Sequence, residues 1–180
     1  MQISDKNKDI KGLVLLAVIC LVLQLALAPN IGLGNGRANF ALIFVAVIAL
    51  SQGGGNAVIA GFVAGLLFDL SSTGPIGLMA FCLTVTGLVL GGEGRNRMAG
   101  DFGGSVVYTA LASLGVSLVY SIAMLASGQT SSFVDAVFLR ALPTTLLTLV
   151  AFLPFAYYYS RIKSSGPNLG GRGGHFKRSL

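Results

Sequence analysis

The sequence predicts an all-α fold, a polytopic membrane helix bundle of six transmembrane helices with the N- and C-termini both cytoplasmic. Three observations predict it. The 180 residues are 54% hydrophobic and only 10% charged, with a mean hydropathy of +0.81, whereas a soluble domain carries roughly 25% charged residues. Too little charge remains to cover a surface facing water, so lipid is the solvent for much of the chain. The apolar residues form continuous runs near the ~20 residues that span hydrocarbon as a helix, not the ten-residue alternations of a barrel. The cations, finally, cluster on alternate connections between those runs.

The elements follow in order. Residues 1–11 are a polar cytoplasmic segment carrying Lys6, Lys8 and Lys11. The first run, 12–29, is broken only by Gln24. It is too long for a signal-peptide core and is followed by further runs, so it is read as an uncleaved first helix. A Gly/Asn-rich stretch, NIGLGNGRAN, ends it, because such residues favour turns over helix. The second run is 38–52 and the third 54–71, joined through QGGG; the fourth, 76–91, is opened by SSTGP. Runs two and four are short for a bilayer and need local thinning or burial within the bundle. A glycine-rich loop with Arg95 and Arg97 leads to the fifth run, 104–126, and SGQTSS leads to the sixth, 133–159. Arg140, Pro143 and Pro154 lie in that last run, and prolines predict departures from a straight α-helix. Residues 12–159 thus form the transmembrane domain. Residues 160–180 are read as a disordered basic cytoplasmic tail. The 25 glycines suit a bundle in which small residues let helices approach closely.

Charge tests the count. With six spans, the inner segments hold ten cations: Lys6, Lys8, Lys11, Arg95, Arg97, Arg161, Lys163, Arg172, Lys177 and Arg178. The outer segments hold only Arg37, and Arg140 falls within a span. Cytoplasmic excess of Lys and Arg sets orientation, so ten against one supports six crossings in the inner membrane. A re-entrant pair in place of runs two and three is the alternative; it requires cover by surrounding protein. Tyr157, Tyr158 and Tyr159 next to Arg161 and Lys163 have the makings of an interfacial aromatic belt.

Nothing in the chain has the pattern of a catalytic or cofactor site. The one histidine, His175, is in the tail, and the glycine runs lack the Gly-Lys-Ser/Thr that a phosphate loop requires. Cys20 and Cys82 lie in separate apolar runs without CxxC or Cys/His spacing, so they are expected as unlinked core thiols and no metal site is predicted. The chain is not expected to be an enzyme or to hold a cofactor, and its bases flank apolar segments instead of forming a nucleic-acid surface.

The most informative stretch is 57–79, AVIAGFVAGLLFDLSSTGPIGLM. Ala57, Gly61, Gly65 and Asp69 recur every fourth residue and share one helix face. Small residues at that spacing make a groove into which a second helix can pack. Two readings stay open: the groove takes a partner protein, or it packs this chain's own helices while Asp69 caps the end. Gly74, Pro75 and Gly77 shape the turn that follows. Arg140 enters about 10 Å below the outer edge of the sixth run, at 1.5 Å per residue. An intramembrane ion pair between Asp69 and Arg140 would lower the burial cost of both. Alternatively Arg140 snorkels outward, toward Asp135.

The run GFVAGLLFDLSSTGPIGLMAFCLTVTGLVLG, with a G-L-L-x-D-L core at residues 65–70 and a P-x-G-L turn at 75–78, resembles the signature of the MreD family, multi-span subunits of the bacterial cell-elongation machinery. The close likeness covers about 30 residues, a length at which a motif remains a hypothesis to be tested against context; length and six-span plan agree over the rest. The resemblance implies a non-enzymatic scaffold or regulatory subunit of the rod-shape complex. It implies association with MreC, most directly, and work alongside MreB, the RodA glycosyltransferase and a class B penicillin-binding protein in peptidoglycan synthesis. On that reading the stripe and turn are docking candidates for the single membrane helix of MreC. The alternative is a substrate-binding S-component of an energy-coupling-factor vitamin transporter. Such a subunit needs converging polar groups around a cavity and an alanine-rich coupling face; Ala17, Ala26 and Ala28 form no regular AxxxA stripe. The glycine-rich tail is either a solvated end or a segment resting on anionic lipid or a partner.

Overall fold

The computed structural model describes residues 3–72, 74–94, 102–128 and 132–164; the side chains of 3–10, 93, 94, 102, 136 and 159–164 are outside that description. Six helical rods follow one another: α1 (Ile3–Val22), α2 (Phe40–Gln52), α3 (Gly54–Ser71), α4 (Leu78–Gly94), α5 (Phe102–Ala126) and α6 (Leu142–Ser164). α1 runs on into a π-helical turn, Leu23–Leu27, and α6 is entered through another, Asp135–Ala141. Among the described residues, three helices are long and apolar enough to cross a membrane, at Gly54–Ser71, Gly103–Ala126 and Val137–Tyr158. The other three apolar helices, Lys11–Leu27, Phe40–Gln52 and Leu78–Gly92, are shorter.

Two boundaries differ from the sequence expectation. The segment 1–11 is helical from Ile3, and the last helix continues five residues past Tyr159, to Ser164. Neither extension contains Gly or Pro before the polar ends, and adding a residue to an existing helix is far easier than nucleating one. Residues 165–180 of the basic tail, with Arg95 and Arg97 of the loop, lie outside the described residues, and Arg161 and Lys163 lie on the last turns of α6.

α2 is the centre of the bundle. Every residue from Phe40 to Leu50 is buried, and α1, α3, α4, α5 and α6 all touch it. At 13 residues it is about 20 Å long, well short of ~30 Å of hydrocarbon. Being sheathed by protein on all sides, it does not have to match the bilayer. Its N-terminus is capped by side chains, as a buried helix end requires. The Asn39 side chain accepts from Leu42 N–H at 3.0 Å and the Gln24 side chain accepts from Phe40 N–H at 2.8 Å. Asn39 N–H in turn donates to Thr148 Oγ1 at 3.0 Å. Gly53, at φ +93°, makes the whole connection to α3.

The surrounding helices are built inside out. On α3 only Ala57, Gly61, Gly65 and Asp69 are buried, while Ile59, Phe62, Val63, Leu67 and Leu70 are exposed. That distribution suits a lipid solvent and no aqueous one. Cys20 and Cys82 are both free and buried.

Between α1 and α2 the chain forms a small antiparallel hairpin, β1 (Gly32–Leu33) with β2 (Gly36–Arg37), turning at Gly34, φ +61°, and Asn35. It is stitched to the entrance of α6. Pro143 has no N–H to give to the Leu139 carbonyl four residues back, which would be orphaned. That carbonyl accepts from Asn35 N–H at 3.0 Å instead. The adjoining π-turn closes with Leu142 N–H on Val137 O. Gly36 lies so close to this junction that a Cβ on it would overlap Pro143 and the Thr144 amide.

Candidate functional site

α3, the turn at 72–77 and α4 form one interlocked unit. A Cβ on Gly61 would overlap the Leu83 carbonyl, and one on Gly65 would overlap the backbone of Ala80. From the other side, a Cβ on Gly87 would meet the Ala57 carbonyl at 2.5 Å, and one on Gly91 would overlap Gly54. The two helices are in backbone contact along their length, a packing driven by van der Waals contact because lipid gives no hydrophobic reward for association. The Ala57–Gly61–Gly65 groove is therefore occupied by the chain's own α4. Of the two readings left open above, this is the packing of the chain's own helices; α4 carries a matching glycine pair, Gly87 and Gly91, which the single-helix reading of residues 57–79 left out.

Asp69, 1% exposed, closes the unit. Its Oδ2 accepts from Gly77 N–H at 2.9 Å and Ala80 N–H at 3.1 Å, and its Oδ1 from Met79 N–H at 3.2 Å. These are amides at the start of α4 that have no intrahelical partner, and a carboxylate there also complements the helix dipole. Gly77, at φ +93°, takes a backbone conformation that an L side chain rarely adopts. Gly74 leaves space for Tyr120, whose hydroxyl a Cβ there would overlap. Pro75 contributes its carbonyl, which accepts from Leu78 N–H at 3.4 Å. The P-x-G-L turn is thus the geometry that delivers three amides to one carboxylate.

The Asp69–Arg140 pair is not formed among the described residues. The carboxylate is taken up by backbone, and the Arg140 guanidinium lies 5.5 Å from the centre of the Tyr120 ring. A charge near hydrocarbon can be met by an aromatic face as well as by a counter-ion. Tyr120 is also edge-on to Phe68, with ring centres 6.2 Å apart, so it links α3, α5 and the π-turn before α6.

Sequence reasoning missed the polar interior of α5. Ser105, Thr109, Ser113, Ser117 and Ser121 repeat every fourth residue and are all buried. The signal was legible as a hydroxyl stripe at helical spacing. At the end of the bundle holding the hairpin, this stripe opens into a cavity of about 760 Å³ bordered by Gln24, Arg37, Ser117, Ser121, Tyr120 and Arg140. A second, apolar groove of about 450 Å³ runs along α1 and α3, past Ala17, Val18, Ile59, Val63 and Leu67. No group of three or more metal-ligating side chains occurs among the described residues.

Apolar helices packed through glycine, with their large side chains turned outward and an acidic cap buried at one helix junction, define an all-α integral membrane protein. The model of the family described as "rod shape-determining protein MreD" matches residues 7–161. The chain belongs to the MreD family, whose role is in rod-shape determination. Comparison with curated proteins and with solved structures finds no match.

Proposed function

We propose that this chain is a non-enzymatic membrane subunit of the rod-shape complex. It crosses the inner membrane six times with both termini cytoplasmic, and it supports MreC- and MreB-directed peptidoglycan synthesis together with RodA and a class B penicillin-binding protein. The observation that carries this reading is the family match across residues 7–161, nearly the whole helical region. The ten-to-one cation asymmetry supports the topology. The short α2 fits it because that helix is wrapped by protein and does not face lipid.

MreC is the direct partner, held by its single membrane helix. With the glycine stripe filled by α4, the docking surface is the groove between α1 and α3, whose walls are apolar over its length. A membrane helix has the shape and chemistry for it. Single cysteines at Val18, Ile59 and Val63 are expected to crosslink to the MreC membrane helix, and one at Leu83, buried against α3, is not. Failure of MreC to copurify after mild solubilisation would sink the partnership. Crosslinks confined to α5 or α6 would keep MreC and relocate its seat.

A further inference from the structure

The cavity at the hairpin end of the bundle is charged in a way that the scaffold role does not use. Arg37 comes from β2 and Arg140 from the π-turn, and their backbones adjoin. Arg37 N–H donates to Thr144 Oγ1 at 3.2 Å, and the Gly36 Cβ position is 3.0 Å from the Arg140 carbonyl. Both border the same space. Neither guanidinium forms an ion pair among the described residues. Asp69 has both oxygens committed to α4 amides, and Asp135 pairs with neither arginine. Two cations bordering one cavity without counter-ions favour an anion between them.

Two further features converge there. Ser121 and Ser117, 2% and 7% exposed, border the cavity and have no hydrogen-bond partner among the described residues. Both hydroxyls can donate to an acceptor held in the cavity. Both π-helical segments also end on it, one bringing Gln24 and the other Arg140. Such turns are rare and recur at functional sites. Apolar side chains border the cavity too, Leu25, Phe68 and Met79 from other helices and Val116 and Met124 from α5 itself.

We infer that this cavity binds the phosphate group of an anionic ester, with Arg37 and Arg140 on its oxygens, Ser117 and Ser121 donating to them, and the ester's apolar portion against the cavity's apolar side chains. Planar guanidiniums suit a tetrahedral oxyanion that takes several donors at once. A phospholipid headgroup entering from the bilayer and a free phosphate ester entering from water share this chemistry.

The full-length chain, purified in mild detergent, is titrated with phosphatidylglycerol, with zwitterionic phosphatidylcholine and with glycerol phosphate, and bound adducts are counted by native mass spectrometry. Phosphatidylglycerol is expected to bind in clear preference to phosphatidylcholine. Arg37→Gln and Arg140→Gln are each expected to weaken it by about tenfold, the loss that follows removal of one hydrogen bond to a charged group. Arg37 is exposed on the hairpin, so its variant keeps the fold, which an unchanged unfolding midpoint verifies. Binding of glycerol phosphate with the same dependence on both arginines supports the site and makes its ligand a soluble ester. Equal retention of both lipids with no glycerol phosphate bound, or a preference that survives in both variants, overturns the inference.

Discussion

Replacing Asp69 with Asn tests whether this carboxylate serves the backbone or a distant cation. In the structure three amides converge on it at 2.9, 3.1 and 3.2 Å. An asparagine keeps one oxygen but turns an NH₂ group toward donors, so at least one amide of the α4 terminus loses its acceptor. A hydrogen bond to a charged group contributes about 1.5–3 kcal/mol, and the helix dipole adds a further ~0.3–1 kcal/mol. Asp69→Asn is therefore expected to destabilise the protein by about 3 kcal/mol. Arg140→Gln removes only a contact with the Tyr120 ring, worth about 0.5–1 kcal/mol where partly exposed. Since the two side chains share no partner, the double variant should be additive to within ~0.5 kcal/mol. The assay is reversible unfolding in mixed micelles of mild detergent and dodecyl sulfate, read by circular dichroism. An Asp69→Asn variant as stable as the wild type would refute the capping role, and a coupling above ~1 kcal/mol would restore the ion pair.

Other outcomes follow from the same packing. Gly65→Leu drives a side chain into the Ala80 backbone and should destabilise by about 3 kcal/mol or more, the upper range for overpacking. Gly115→Ala, in α5 with nothing near its Cβ position, should stabilise by about 0.5–1 kcal/mol in the same unfolding assay. Gln24→Leu removes the acceptor from Phe40 N–H and should lower stability by about 1–3 kcal/mol, the range for a buried unpaired donor. Cys20 and Cys82, 3% and 7% exposed, should resist a membrane-permeant maleimide, followed by mass shift, while a cysteine at Val18, 51% exposed, reacts promptly; equal rates would mean that the core is looser than described.

Much of the fold was legible because hydrophobic runs and their breaks are local properties. Six helices, the break at residue 53 and the turn opening at Ser72 can all be read from composition alone. What could not be read depends on which helix meets which. The Ala57–Gly61–Gly65 stripe signals close approach without naming its partner, and the matching Gly87 and Gly91 lie in a run scanned for length only. The two-residue turn Gly34–Asn35, with glycine at its first position, is a short-range hairpin signal, hidden in a stretch with the composition of a linker. The π-turn before α6 has no local signature, since it lies where Pro143 withdraws a donor and a distant hairpin supplies one. The hydroxyl stripe of α5 was visible but lay in a segment whose high overall hydropathy masked it.

The position of α2 links these observations. A helix of about 20 Å cannot cross hydrocarbon unaided, yet its residues Phe40–Leu50 are the most completely buried of the described chain. Burial removes the length requirement and replaces it with another: both helix ends must find partners inside the protein. At the N-terminus Gln24, Asn39 and Thr148 supply them, which brings α1, the hairpin junction and α6 to one level. That same level holds Arg37, Arg140 and Asp69. Shortening the central helix thus produces a polar layer within the bundle, where capping groups and charges gather around its buried end. The cavity between the hairpin and α5 is the unfilled part of that layer, and the Asp69 turn is the part satisfied by backbone.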